Sequence, residues 1–208
     1  MVRNHRATAT DLSDFDEIVI AAGSTGLKHG WTMLHPEKWN GDTLPGAESS
    51  HVYSYTEFLS QRPDLTGKAL IFDIMGGRQG AVVAEILARQ GVSVHFATQL
   101  GQASPDLASS RDWGKVHGML KKLGVKFHVD CELTEIFKDH VRLQDLYTKQ
   151  EMVLNGILNV VLVQGSQAND RLYHVMMEQK PCHLIGDAMA PRRVNDAINE
   201  GELIARQI

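Results

Sequence analysis

Cysteine is almost missing from this chain: Cys131 and Cys182 are the only two among 208 residues. They lie far apart and outside any C-x-x-C spacing, so they read as reduced thiols rather than as a disulfide framework. Aromatic residues make up only 6%, and Trp31, Trp39 and Trp113 read as packing or loop anchors rather than as a stacking platform. No block of lysine and arginine occurs, and the formal net charge is −4. Both features argue against a binder of nucleic acid. No apolar run approaches the roughly 20 residues that span a bilayer. The opening Met1-Val2-Arg3-Asn4-His5-Arg6 does not lead into the apolar stretch of a signal peptide. No serine sits in G-x-S-x-G, which removes the hydrolase elbow. The ten histidines occur singly, without the spacing of metal ligands. The expectation is a soluble, cytoplasmic protein that binds neither nucleic acid nor membrane.

What is present is an ordinary globular balance, 43% hydrophobic and 22% charged, in a chain long enough for a substantial core. Three nearly continuous apolar runs have the character of strands covered on both faces, as in parallel sheets. They are Glu17–Ala22, Ala69–Ile74 and Ile157–Val163. Each stops at glycine: Gly23, the pair Gly76-Gly77, and Gly165. Glycine at the carboxyl end of such a strand lets the backbone approach a ligand closely.

The middle of the chain has the clearest pattern. From Ala81 to Gln90 the spacing predicts a helix with Val82, Val83, Ile86 and Leu87 on one face and a Glu85–Arg89 ion pair on the other. Gly91 stops it, and Val92–Ala97 alternates as the next strand, which completes a βαβ unit. A second helix, about Trp113 to Leu123, feeds a strand over Val125–Val129. From Glu132 to Leu154 short alternating runs predict antiparallel strands. Leu27 to Pro45 is aperiodic and rich in Gly, Pro, His and Trp, hence loop. The first dozen residues are polar and are expected as short strand or frayed chain.

Two segments carry candidate chemistry. Met75-Gly76-Gly77-Arg78-Gln79-Gly80 lies between strand and helix, where a dinucleotide fingerprint G-x-G-x-x-G belongs. Gly77 and Gly80 match its second and third glycines, while Met75 departs at the first. About twenty residues on, where an acidic side chain would bond ribose hydroxyls, stand Thr98 and Gln99. The second segment is the close of the chain: a buried-strand reading at Cys182–Ile185, then Gly186-Asp187, then Pro191-Arg192-Arg193 and an amphipathic helix. Pro191 suits a first helical position. The helix would bury Val194, Ala197, Ile198, Gly201, Ile204, Ala205 and Ile208. A carboxylate beside a helix start suits a ligand with both hydroxyl and phosphate groups, the alternative being a capped helix behind a turn glycine; Arg192 and Arg193 at that positive end suggest an anionic partner, although solvated surface arginines are the commoner reading.

These segments, in this order, resemble the carboxyl-terminal portion of the flavoproteins related to trimethylamine dehydrogenase, 2,4-dienoyl-CoA reductase and the NADH:flavin oxidoreductases. Phe15–Gly23 looks like that family's strand ending in Ala-Thr-Gly, and Leu44-Pro45-Gly46 like its Ile-Pro-Gly turn. Val52–Leu59, Thr66-Gly67-Lys68 and Gly165–Tyr173 follow in family order. The closing Gly-Asp…Ala-Pro-Arg-Arg is the most specific match.

The resemblance implies an α/β fold. A Rossmann-like NAD(P)H-type domain over 61–155 would have a parallel central sheet and an inserted antiparallel β-meander. A partial FAD/ADP-type domain would be formed by the chain ends, 1–60 and 156–208. It implies FAD or ADP and NAD(P)H as cofactors, held through Gly23, Gly76, Gly77, Gly80, Thr98, Gly186, Asp187 and Arg192, with Asp187 on a ribose or ribityl hydroxyl. FMN and a [4Fe–4S] cluster would sit only on a barrel-bearing region or subunit, the expected partner; a homo-oligomer is left open. The chain then reads as a nucleotide-positioning part of an oxidoreductase, not catalytically competent alone and with no catalytic residue of its own. The alternative is a non-catalytic assembly module whose nucleotide site has degenerated.

Overall fold

The computed structural model describes residues 3–39 and 43–208. They form two compact units, Gly26–Gly165 and a smaller one made of Met1–Thr25 with Ser166–Ile208. In chain order the strands are β1 (Ile18–Ile20), β2 (Ser24–Gly26), β3 (Val52–Ser54), β4 (Lys68–Asp73), β5 (Ser93–Ala97) and β6 (Lys126–His128). They continue as β7 (Cys131–Ile136), β8 (His140–Asp145), β9 (Glu151–Asn155), β10 (Ile157–Val163), β11 (Ser166–Ala168) and β12 (Cys182–Leu184). The helices are α1 (Tyr55–Gln61), α2 (Arg78–Arg89), α3 (Trp113–Lys122), α4 (Arg171–Met176) and α5 (Val194–Ala205).

In the larger unit one sheet runs β3-β10-β4-β5-β6, each neighbouring pair parallel. The two-residue period of a strand divides its side chains between two cores. Ala69, Ile71, Val94, Phe96, Val161 and Val163 pack with Phe58 of α1, Val83 and Leu87 of α2, and Leu120 of α3. Leu70, Phe72, Val160 and Leu162 face the other way, onto Leu133 and Ile136 of β7 and Val141 and Leu143 of β8. Strands β7, β8 and β9 form an antiparallel meander. The order is therefore helices, parallel sheet, meander. Cover on both faces is why β4 and β10 are apolar almost without interruption.

The unit boundary differs from the expected one near residues 60 and 156. Strands β3 and β10 both belong to the central sheet, so their pairing draws 26–60 and 156–165 into the larger unit. Helix α2 begins at Arg78, earlier than its apolar spacing suggested, and carries the Glu85–Arg89 pair at 2.8 Å. Gly91, at φ +86°, ends it.

In the smaller unit β1 pairs in parallel with β12, Ile18 opposite Cys182 and Ile20 opposite Leu184. The first of the three apolar runs, Glu17–Ala22, is thus separate from the central sheet. Its middle residue, Val19, is 39% exposed, while Ile18, Ile20, Met176 and Ala188 form a small core. Strand β12 is half-buried rather than buried. Pro191 does not open α5. A single 3-10 turn over Gly186–Ala188 comes first, Arg193 is extended, and the helix starts at Val194. Asp196 Oδ2 accepts from the Arg193 N–H at 3.1 Å and fixes that start. Val194 and Ile198, expected on a buried face, are exposed. Near the beginning, Thr10–Leu12 is a 3-10 turn rather than strand. In the segment Leu27 to Pro45, Pro36–Trp39 is a further 3-10 turn and residues 40–42 lie outside the described residues.

Candidate functional site

The glycine-rich loop of the larger unit joins β4 to α2, and the residue that organises it is Asp73. Its Oδ1 accepts from the backbone N–H of Met75 at 2.8 Å and of Gly76 at 3.1 Å. Asp73 is fully buried, its Oδ2 has no hydrogen-bond partner, and burial pushes its pKa up from 3.8 to about 7. Gly80 lies directly against that oxygen: a Cβ there would stand 2.3 Å from Asp73 Oδ2. Gly76, at φ +68°, is packed by Leu100 and Pro105, and its carbonyl accepts from the Asp106 N–H at 3.0 Å. Gly77 is the N-cap of α2 and offers no side-chain cap.

These contacts bear on the fit of a dinucleotide. A pyrophosphate is held by free backbone N–H groups at such a loop, and here Met75 and Gly76 already give theirs to a carboxylate. Two of the loop's amides are therefore engaged within the protein. Thr98 is equally engaged: its Oγ1 accepts from the Leu100 N–H at 3.1 Å, its N–H donates to His128, and its carbonyl accepts from Cys131. Sequence reading placed Asp73 only as the tail of an apolar run. The available signal was a charged residue closing a fully buried strand.

The smaller unit brings Gly23, Gly186 and Asp187 together. With Ile20 opposite Leu184, the two strands end side by side, each running into a glycine of positive φ, +72° at Gly23 and +62° at Gly186. Over Gly23 there is open space, with nothing within 4 Å of where a Cβ would be. Asp187 Oδ2 accepts from Ser24 Oγ at 3.3 Å and Oδ1 from the Arg192 N–H at 3.2 Å. One contact per oxygen leaves each able to accept from a ribose or ribityl hydroxyl, so this pair of strand ends fits the sugar of a nucleotide. Arg192 is held otherwise than expected. Its guanidinium pairs with Glu200, whose second oxygen accepts from the Gly186 N–H at 2.6 Å. The Glu200 carboxylate thus joins the Arg192 guanidinium to the Gly186 amide. Glu200 lies a helix away in sequence, and no local motif marks it. Among the described residues no three His, Cys, Asp or Glu side chains gather as metal ligands, and no helix is long and apolar enough to cross a membrane.

No protein-family model matches the chain, and no curated protein matches it. Solved structures do. The 6-hydroxypseudooxynicotine amine oxidase of Pseudomonas geniculata N1 matches at TM-score 0.88 and 24% identity, over 96% of this chain and 30% of that one. Histamine dehydrogenase from Rhizobium sp. 4-9 matches at TM-score 0.88 and 24% identity, over 98% and 32%. A HOCl-induced flavoprotein disulfide reductase from Escherichia coli matches at TM-score 0.61 and 16% identity, over 92% and 44%. What is shared is the fold. These neighbours are oxidoreductases, and the chain spans about a third of the length of the first two.

Proposed function

We propose that this chain is the nucleotide-binding portion of a flavoprotein oxidoreductase of the trimethylamine dehydrogenase and NADH:flavin oxidoreductase type, and that its smaller unit holds FAD or ADP. The observation that carries this reading is the pair of parallel strands, β1 and β12, ending side by side at Gly23 and Gly186 with the Asp187 carboxylate beside them. Ligands of open α/β sheets lie outside the carboxyl ends of the strands. In this reading Asp187 accepts from a ribose or ribityl hydroxyl and Gly23 lets the cofactor pass close to the backbone. Substrate oxidation or reduction belongs to cofactors on a barrel-bearing region or partner subunit. The oxidoreductase fold of the structural neighbours supports the class.

A second reading concerns the larger unit. On that reading the chain is a non-catalytic assembly module whose nucleotide site has degenerated, and the loop amides engaged by Asp73 support the loss of that site. Titration calorimetry separates the two. ADP or FAD is expected to bind saturably, with Asp187→Ala weakening it by about tenfold or more, the worth of a charge-assisted hydrogen bond. NADH and NADPH are expected to show no saturable binding to the larger unit. Absence of binding for all four nucleotides would leave the assembly reading alone, and unchanged affinity in Asp187→Ala would remove the sugar contact.

A further inference from the structure

Beside the end of β1 the smaller unit contains a cleft of about 660 Å³, lined by residues from Arg6 and Ala7, from Ala22 and Thr25, and from Gln167 to Leu172. That volume lies in the range of small-molecule and cofactor sites. Its walls are fixed from within. Thr25 Oγ1 donates to Asn169 Oδ1 at 2.9 Å, Asn169 Nδ2 donates to the Ala22 carbonyl at 3.3 Å, and the Asn169 N–H donates to Gly23 at 3.0 Å. Asn169 is therefore a brace, with its amide spent on the protein. Asp170, the acid in the lining, bonds His174 at 3.2 Å. What remains for a ligand is two guanidiniums, Arg6 and Arg171, the Gln167 amide, and an apolar surface from Ala7, Ala22, Ala168 and Leu172.

The chemistry of that set is specific. Two arginines line one cleft, and guanidinium forks match phosphate oxygens two at a time. The small apolar side chains accept a flat or aliphatic body, and the amide can bond its polar edge. Strand β2 alternates, Ser24 turning to Asp187 and Thr25 to Asn169 in the cleft wall. Gly23 directly precedes Ser24, accepts from the Asn169 N–H, and has open space where a Cβ would stand.

We propose that this cleft is the phosphate grip of the nucleotide site: the sugar lies at Asp187, the ligand crosses over Gly23, and its phosphates lie between Arg6 and Arg171. This rests on the reading of the smaller unit as nucleotide-binding. Arginine side chains would then do here what backbone amides do in a glycine fingerprint.

The test is calorimetry of the full chain with ADP, adenosine and inorganic pyrophosphate. ADP is expected to bind at least tenfold more tightly than adenosine, and pyrophosphate to compete with it. Arg6→Gln and Arg171→Gln should each weaken ADP about tenfold and leave adenosine unchanged, and added salt should weaken ADP alone. Both arginines are exposed, so circular dichroism is expected to show unaltered folds. Equal affinity for ADP and adenosine, or wild-type ADP affinity in both variants, overturns the phosphate grip. If Asp187→Ala still weakens ADP in that case, the nucleotide reading survives its loss. No binding of ADP or adenosine by the wild-type chain overturns both.

Discussion

Asp73 closes β4 and His95 lies within the neighbouring β5, and their titrations act against each other. Burial raises the Asp73 pKa from 3.8 to about 7. The folded chain therefore holds a proton that the unfolded chain has already released. The stability linked to Asp73 is full below its ordinary pKa and is lost as pH rises through about 7. His95 behaves in the opposite sense. Its Nδ1 meets His128 Nε2 at 2.9 Å with the rings stacked, and burial, then the charges of His128, Lys126 and Lys68, lower its pKa from 6.5 to about 4. Its contribution is full above its ordinary pKa and is lost as pH falls through about 4. Burial lowers the His128 pKa as well, in the same direction. Across the same window the two residues tilt the stability curve in opposite directions. Asp73→Asn keeps the acceptor for Met75 and Gly76 and removes the acid, so its urea midpoint should fall more steeply than wild type between pH 7 and pH 4. His95→Gln should fall less steeply or rise. Identical pH profiles for wild type and both variants would refute the two assignments.

At the scale of elements, the tightest approach between β4 and α2 is Gly80 against Asp73, beside the packing of Val83 and Leu87 on the sheet. A methyl group 2.3 Å from the carboxyl oxygen cannot be accommodated without movement of strand or helix. Gly80→Ala should therefore destabilise the chain by about 1–3 kcal/mol. In an Asp73→Ala background most of the clash is gone, so a double-mutant cycle should return a coupling of about 1 kcal/mol or more. Additive effects would mean that Gly80 is small for another reason. This junction also explains what the sequence could and could not tell. Strands β4 and β10 and helix α2 were legible because burial on both faces, or on one helical face, writes a period into the residues. The glycines of the loop were equally visible, but their partners were not. Gly80 looks the same in sequence whether it admits a phosphate or makes room for the carboxyl group of the preceding strand, and only the fold shows Asp73 against it. Pro191 failed as a helix marker because the turn at Gly186 and the Asp196 cap set the start of α5 instead. Strands β2 and β11 are three residues each and left no readable alternation. At Asp187 the carboxylate and its glycine were legible, whereas Glu200, which holds Arg192, was not.

For the whole molecule, the two units differ in how they are encoded. Gly26–Gly165 is one uninterrupted stretch of chain. It contains every strand of the central sheet, the meander that covers one face and the helices α1, α2 and α3 that cover the other. Two cores and a closed set of backbone pairings lie within it, which is what a domain needs to fold alone. The smaller unit is assembled from both ends of the chain around a core of Ile18, Ile20, Met176 and Ala188. Its sheets are two-stranded, and strands of three residues in pairs are marginal in water by themselves. The fragment 26–165 is therefore expected to express as a folded domain, with a far-ultraviolet circular dichroism spectrum of mixed α/β type and a single cooperative urea transition. The two end segments, 3–25 and 166–208, mixed as peptides, are expected to show no cooperative transition. The smaller unit then depends on the larger as the closure that brings its halves together, and its nucleotide affinity should vanish in the isolated segments. A fragment 26–165 that is unfolded or melts without cooperativity would show instead that the cores are not independent of the chain ends.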